Sequence, residues 1–247
     1  MNKHVVPIKT TVPLKTARLF IGVPSHPTWC AEFGMHMLSL MACMHRPFPG
    51  LALQHQFSNV RGSILSQLRQ QLVEQAQGIK ATHILMLDSD MAFPPEIAQE
   101  WIMYDKDVIA ANCMTKSMPA APTARLYDGT STGKKLYCDP DLGLQKVWRV
   151  GTGVMMIKMS VFDRIKKPWF PITWKEESQT YQGEDWGFAE LCEQAGIDLW
   201  VDQEASAAVG HIGSFQFTHH HVLVEEPLVQ IPGADENNTV KLEIVKR

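Results

Sequence analysis

The chain has 247 residues, 45% of them hydrophobic and 20% charged, the composition of a soluble globular protein with one sizeable domain or two small ones. A formal charge of -3 gives no overall attraction for nucleic acid or a membrane surface. The five cysteines are odd in number and never spaced as Cys-x-x-Cys, which argues against a zinc ribbon or disulfide framework and fits a reducing compartment.

Residues 1–16 read as a loose arm without the apolar core of a signal peptide. A first strand is expected at 17–23, stopped by Pro24-Ser25-His26-Pro27. Residues 29–44 read as a helix, with Phe33, Met37, Leu40, Met41 and Met44 at helical spacing as core filler. A weak strand follows at 51–57. Ile64, Leu68, Leu72 and Ala76 then repeat every four residues, predicting a helix over 63–76 that Gly78 ends. The apolar run 84–87 reads as a buried strand. A helix at 95–104 and a strand at 107–111 come next. This alternation predicts an α/β fold with a mostly parallel central sheet and helices on both faces. It carries neither Gly-x-Gly-x-x-Gly after a strand nor a phosphate loop.

Residues 112–148 change character. They are rich in proline, glycine, serine and threonine, with short strands expected at 123–127 and 146–150. A loop segment of this length is usually functional or mobile. A strand at 152–158, a short helix at 160–165 and an aromatic loop at 167–182 follow, the loop carrying Trp169, Phe170, Trp174 and Tyr181. Gly183-Glu184-Asp185-Trp186 opens a helix to 195, and short strands are expected at 198–202 and 205–209. Residues 225–247 read as a polar tail with one late strand at 240–245.

Three features carry candidate chemistry. Asp88 and Asp90 flank Ser89 at the end of the 84–87 strand, where open α/β sheets present functional groups. Two acids so close repel unless a cation lies between them. The alternative is that Asp90 caps the helix after Pro94-Pro95. Glu184-Asp185 lie in a first helical turn, where the macrodipole alone favours acids by about 0.3–1 kcal/mol. His211, in Gly210-His211-Ile212-Gly213, is by itself as easily a satisfied loop histidine. Together, carboxylates and one imidazole suit Mn²⁺ or Mg²⁺ when water or phosphate fills the other positions. Arg69 sits among Gln67, Gln70 and Gln71, which suggests a wet face, yet an arginine aimed at the strand ends could hold a phosphate or carboxylate. His219-His220-His221 read as a polar surface run in extended chain, where only two of three share a face.

The ordered set Val23-Pro24-Ser25, the Arg69 helix, Leu87-Asp88-Ser89-Asp90-Met91 with Phe93-Pro94, Gly151-Thr152-Gly153-Val154, Gly183-Glu184-Asp185 and Val209-Gly210-His211 resembles the GT-A fold glycosyltransferases. It is nearest the family 2 type and its bacteriophage and bacterial members. The resemblance covers roughly residues 17–215 and implies a single Rossmann-like GT-A catalytic domain at 17–224. Its half 17–111 binds nucleotide, and its half 112–224 serves acceptor and catalysis. It implies Mn²⁺ or Mg²⁺ on Asp90, with Asp88 ligating or touching the ribose and His211 completing the set. Asp185, beside Glu184, is the implied catalytic base of an inverting transfer. Pro24, Ser25, Arg69, Asp88, Ser89 and Gly153 are the implied donor contacts.

The implied donor is a UDP- or GDP-linked sugar, and the acceptor a glycan, a protein or modified nucleic acid. The middle segment and the loop with Trp169 and Trp174 are expected to close over the sugar. The Gln-x-x-Arg-Trp motif and membrane helices of processive synthases are missing, which argues against a polymerising enzyme. The expected setting has no membrane contact and is cytoplasmic, in the host cytoplasm if the protein is viral. Two other readings stand beside this one. One is a haloacid-dehalogenase-type phosphatase, whose pattern wants Thr or Val where Ala92 stands. The other is a nucleotide-sugar-binding module without catalysis.

Overall fold

A computed structural model of the chain describes residues 14–213, 216 and 218–222. In chain order its first elements are β1 (Lys15–Ser25), α1 (Ala31–Met44), β2 (Leu51–Arg61), α2 (Leu65–Gly78), β3 (His83–Leu87), β4 (Met91–Ala92), α3 (Ile97–Tyr104) and β5 (Val108–Ala110). Then come β6 (Arg125–Leu126), β7 (Lys134–Lys135), β8 (Leu144–Val147), β9 (Val154–Lys158), β10 (Thr173–Lys175) and β11 (Thr180–Gln182). The last are α4 (Glu184–Gln194), β12 (Leu199–Asp202), α5 (Gln203–Ala208) and β13 (Gly210–His211).

Seven strands form the central sheet in the order β2-β1-β3-β9-β5-β12-β8. β1 pairs in parallel with β2 and β3, and β12 with β5. β9 enters antiparallel between β3 and β5, and β8 closes one edge antiparallel to β12. The α/β architecture with a mostly parallel sheet is therefore as expected. The reversal at β9 is not visible in the alternation of elements.

The sheet is buried on both faces, which explains the unbroken apolar run of β3. Ile84 and Met86 join a core with Leu72 and Val73 of α2 and Phe188 and Cys192 of α4. Leu85 and Leu87 join the opposite core with Phe33 and Leu40 of α1 and Trp101 and Ile102 of α3. Side chains alternate faces along a strand, so one short segment serves both layers.

Several expectations need correction. Residues 205–209 are not a strand: Gln203–Ala208 is helical, because the Asp202 carboxylate accepts from the Ala205 amide at 3.1 Å and caps a run rich in alanine. β1 begins at Lys15, inside the span read as a loose arm, and β2 runs on to Arg61. The turn after β9 is a 3₁₀ segment, Met159–Asp163. The aromatic loop contains the β10–β11 hairpin. His219–His221 form a 3₁₀ turn rather than an extended run, with the His219 Nε2 buried. The late strand at 240–245 lies outside the described residues. Among the described residues no helix is long and apolar enough to cross a membrane.

Candidate active site

β1 and β3 run side by side and end together, so Pro24-Ser25 and Asp88-Ser89-Asp90 emerge at one end of the sheet. Asp88 begins where β3 leaves the ladder, its amide donating to the Gly153 carbonyl at 2.8 Å. A Cβ on Gly153 would stand 3.3 Å from the Cys113 sulfur and 3.6 Å from Asp88 Oδ2, so glycine keeps the floor beside Asp88 clear. Asp90 does not cap α3, whose N-cap residue is Glu96 without a side-chain cap. Instead β4 pairs antiparallel with β13, setting His211 opposite Met91. The Ile212 amide donates to the Asp90 carbonyl at 2.7 Å. This ribbon carries His211 across more than a hundred residues of chain to within 3.4 Å of the Asp90 carboxylate.

The outcome is a small pocket, ≈ 170 Å³, whose lining includes Pro24, Ser25, Asp88, Ser89, Asp90 and His211. Six of the residues singled out from sequence thus share one cavity. Small-molecule sites usually span roughly 300–1,000 Å³, so this pocket admits only part of a donor.

Arg69 supplies the charge beneath it. The side chain is 1% exposed, and Nη2 donates to Asp88 Oδ1 and Oδ2 at 2.9 and 3.2 Å. Its Nε lies 3.4 Å from Glu184 Oε1. The wet-face reading of this helix position is therefore wrong: Arg69 points inward, between β3 and the start of α4. Burial raises the Asp88 carboxyl; Arg69 opposes this, while Asp90 and Glu184 add to it.

Asp90 is held differently. Burial lifts its carboxyl, but His211 and Lys116 outweigh that and hold it at about 2. The Lys116 ammonium donates to Asp90 Oδ2. His211 Nδ1 lies 2.7 Å from the Met114 carbonyl. A carbonyl only accepts, so Nδ1 carries a proton, and Nε2 is the ring atom turned toward Asp90.

Asp88, Asp90 and His211 were grouped from sequence as metal ligands. Among the described residues, no three His, Cys, Asp or Glu side chains form a ready-made metal cluster. The reason is visible in the charges: Asp88 is turned onto Arg69 and Asp90 onto Lys116. The donor chemistry still fits Mn²⁺ or Mg²⁺. A histidine whose Nδ1 is fixed on a carbonyl and whose Nε2 faces a carboxylate has the support that metal-ligating histidines need.

Asp185 opens into a second, larger cleft of ≈ 580 Å³, shared with Trp148, Lys175, Tyr181, Trp186 and Glu190 among others. Its Oδ1 accepts from the Trp186 amide at 2.8 Å. Burial, and then Glu184 next door, raise its carboxyl above the usual range. Lys175 Nζ and Gln182 Nε2 meet Glu190 at 2.9 and 2.7 Å on the far wall. Arg149 stacks on Trp148 at 4.0 Å and pairs with Glu193 at 2.7 Å. Trp169 does not reach either cavity; it is 3% exposed and packs its edge against Phe162. Trp174 stands on the hairpin against Tyr181.

Sequence reasoning missed Lys116, Arg149 and the Lys175–Glu190 pair. Lys116 and Lys175 had as their signal only a place in loops suspected of function, and Arg149 and Glu190 had none. Cys113 is no nucleophile: burial, then Asp88, push its thiol up to about 12.

Fold and site together define an α/β protein with an acidic pocket where its parallel strands end, joined through Arg69 to a second cleft. No family model and no curated protein matches the chain. Among solved structures, A197 from STIV is similar over 87% of this chain and 97% of that one, with a TM-score of 0.56 and 14% identity. The catalytic domain of Drosophila beta1,4galactosyltransferase 7 in complex with xylobiose is similar over 80% of this chain and 71% of that one, with a TM-score of 0.46 and 15% identity. A mutant of that enzyme in complex with manganese, UDP-Gal and xylobiose has the same coverage and TM-score at 13% identity. At these identities the likeness concerns the fold.

Proposed function

We propose that the protein is a metal-dependent, inverting glycosyltransferase that moves a sugar from a UDP- or GDP-linked donor to an acceptor hydroxyl. The observation that carries this reading is the convergence of Pro24, Ser25, Asp88, Ser89, Asp90 and His211 on one pocket, tied by Arg69 to the α4 start that bears Asp185. Asp90 and His211, with Asp88, would hold Mn²⁺ or Mg²⁺. Bound there, the ion supplies positive charge against the departing nucleoside diphosphate.

The residues of the chain divide the remaining work. Arg69 fixes the Asp88 carboxylate and keeps Glu184 from repelling it. Asp185 takes the proton from the acceptor hydroxyl as that oxygen attacks the anomeric carbon. A carboxylate raised by burial is a better base for this than a solvated one. The adjoining cleft supplies aromatic faces and hydrogen-bonding groups for an acceptor, whether glycan, protein or modified nucleic acid. Five free cysteines fit a reducing, cytoplasmic setting.

The phosphatase reading asks Asp88 to act as a free nucleophile, whereas Arg69 engages both of its oxygens. The binding-module reading leaves the raised Asp185 in an accessible cleft without a role.

Calorimetric titration of UDP and GDP with and without Mn²⁺ tests the proposal. Mn²⁺ should strengthen binding of one of them, and Asp90→Ala should remove that dependence. Nucleotide binding indifferent to Mn²⁺ in both proteins sinks the metal-dependent reading.

A further inference from the structure

The loop that follows β5 does two things to the same carboxylate. Its Met114 carbonyl fixes His211 Nδ1 at 2.7 Å, and its Lys116 ammonium sits on Asp90 Oδ2. The loop is anchored at both ends by buried residues, Met114 at 2% and Ala120 at 4% exposure. It is stitched across by Thr115, whose amide meets the Ala121 carbonyl at 2.9 Å and whose hydroxyl accepts from the Ala121 amide at 3.0 Å. Lys116 lies on its exposed stretch, with the Lys116 side chain 35% and the Asp90 side chain 38% solvent-accessible. Among the described residues its acidic partner is Asp90. The backbone is therefore fixed while the long side chain can swing.

We propose that Lys116 is a tethered counter-ion that holds the Asp90 position against a divalent cation until a nucleoside diphosphate arrives, and then transfers to the diphosphate. The inference rests on the glycosyltransferase reading above and assigns Lys116 a positioning role in it. A carboxylate oxygen cannot give its full charge to a metal while an ammonium is bonded to it. A diphosphate offers that ammonium a stronger anion. The pocket that Asp90 lines is too small for a whole donor, and withdrawing Lys116 from Asp90 frees the carboxylate oxygen it holds. Metal and nucleotide thus strengthen one another's binding, and by linkage the effect is reciprocal.

The test is direct binding, free of turnover: Mn²⁺ titrated by electron paramagnetic resonance, and UDP and GDP by calorimetry, on the full chain and on Lys116→Gln and Lys116→Arg. Lys116→Gln should bind Mn²⁺ without nucleotide roughly three- to tenfold more tightly and bind the nucleoside diphosphate more weakly. Lys116→Arg should stay near the parent on both. Opposite signs are the signature, since a merely structural residue would weaken both. Equal Mn²⁺ affinity in parent and Lys116→Gln overturns this inference and leaves the metal reading standing. Absence of Mn²⁺ binding in every variant, with or without nucleotide, overturns both.

Discussion

Arg69 and Glu184, 115 residues apart in sequence, meet at 3.4 Å in the interior, and the same guanidinium donates to Asp88 at 2.9 Å. One buried cation thus joins the end of β3 to the beginning of α4. Without it, two partly buried carboxylates, 26% and 16% exposed, would lose the cation between them.

Arg69→Ala should therefore be costly. Removing one partner of a buried ion pair leaves the others uncompensated, at about 3 kcal/mol. Denaturant unfolding monitored by tryptophan fluorescence checks it. A loss under about 1 kcal/mol, the scale of a surface pair, would show that the network is not structural.

Gly187 lies one turn into α4, where a Cβ would stand 2.1 Å from the Pro171 carbonyl oxygen. Gly187→Ala should push α4 off that loop, costing about 1–3 kcal/mol as overpacking does. Because α4 carries Glu184 and Asp185, donor consumption should fall with it. Thermal melting and a turnover assay on the same preparation measure both.

His83 makes stability depend on pH. Burial first, then Lys15 and Lys158, lower its imidazole from 6.5 to about 4. Between those values the unfolded chain takes up a proton that the folded chain refuses, so stability falls as pH drops from about 6.5 to about 4. The full loss is up to about 3 kcal/mol, from 1.36 kcal/mol per unit. His83→Gln should flatten that part of the stability curve. An unchanged slope would assign the titration elsewhere.

Asp185 works with the opposite sign. Its folded carboxyl is raised by burial and by Glu184, so ionisation costs stability as pH rises past the unfolded value, about 3.9. Asp185→Asn should melt higher than the parent near neutral pH, and the gain should vanish as pH falls below that value. A variant that melts lower at neutral pH contradicts a desolvated carboxylate at this position.

The sequence disclosed what depends on short-range pattern. The β3 run announced a buried strand because both faces of the sheet take its side chains. Asp88 and Asp90 alone are ambiguous between a helix cap and a site, and only their order with Glu184-Asp185 and His211 points to a site. Two things were hidden because they depend on distant chain. The antiparallel entry of β9 follows from where its crossover lands, and no periodicity records that. Lys116 sits in a loop of ordinary polar composition, and only the β4–β13 ribbon and the Met114 contact make Asp90 its partner. The expected strand at 205–209 is instead part of the helix Gln203–Ala208, and the deciding feature is the Asp202 cap. For Arg69 the glutamine neighbours suggest a wet face, but the alternative of an arginine holding a carboxylate at the strand ends is the arrangement observed.

The central claim is that Asp185 removes the acceptor proton while the Asp88–Asp90–His211 pocket holds the donor. It is tested most directly by consumption of labelled UDP- and GDP-sugars with Mn²⁺ and an acceptor panel, comparing the parent with Asp185→Asn. The account predicts donor binding unchanged and turnover reduced at least about a hundredfold, the usual loss of a general base. Turnover equal to that of the parent, with donor bound, would contradict it.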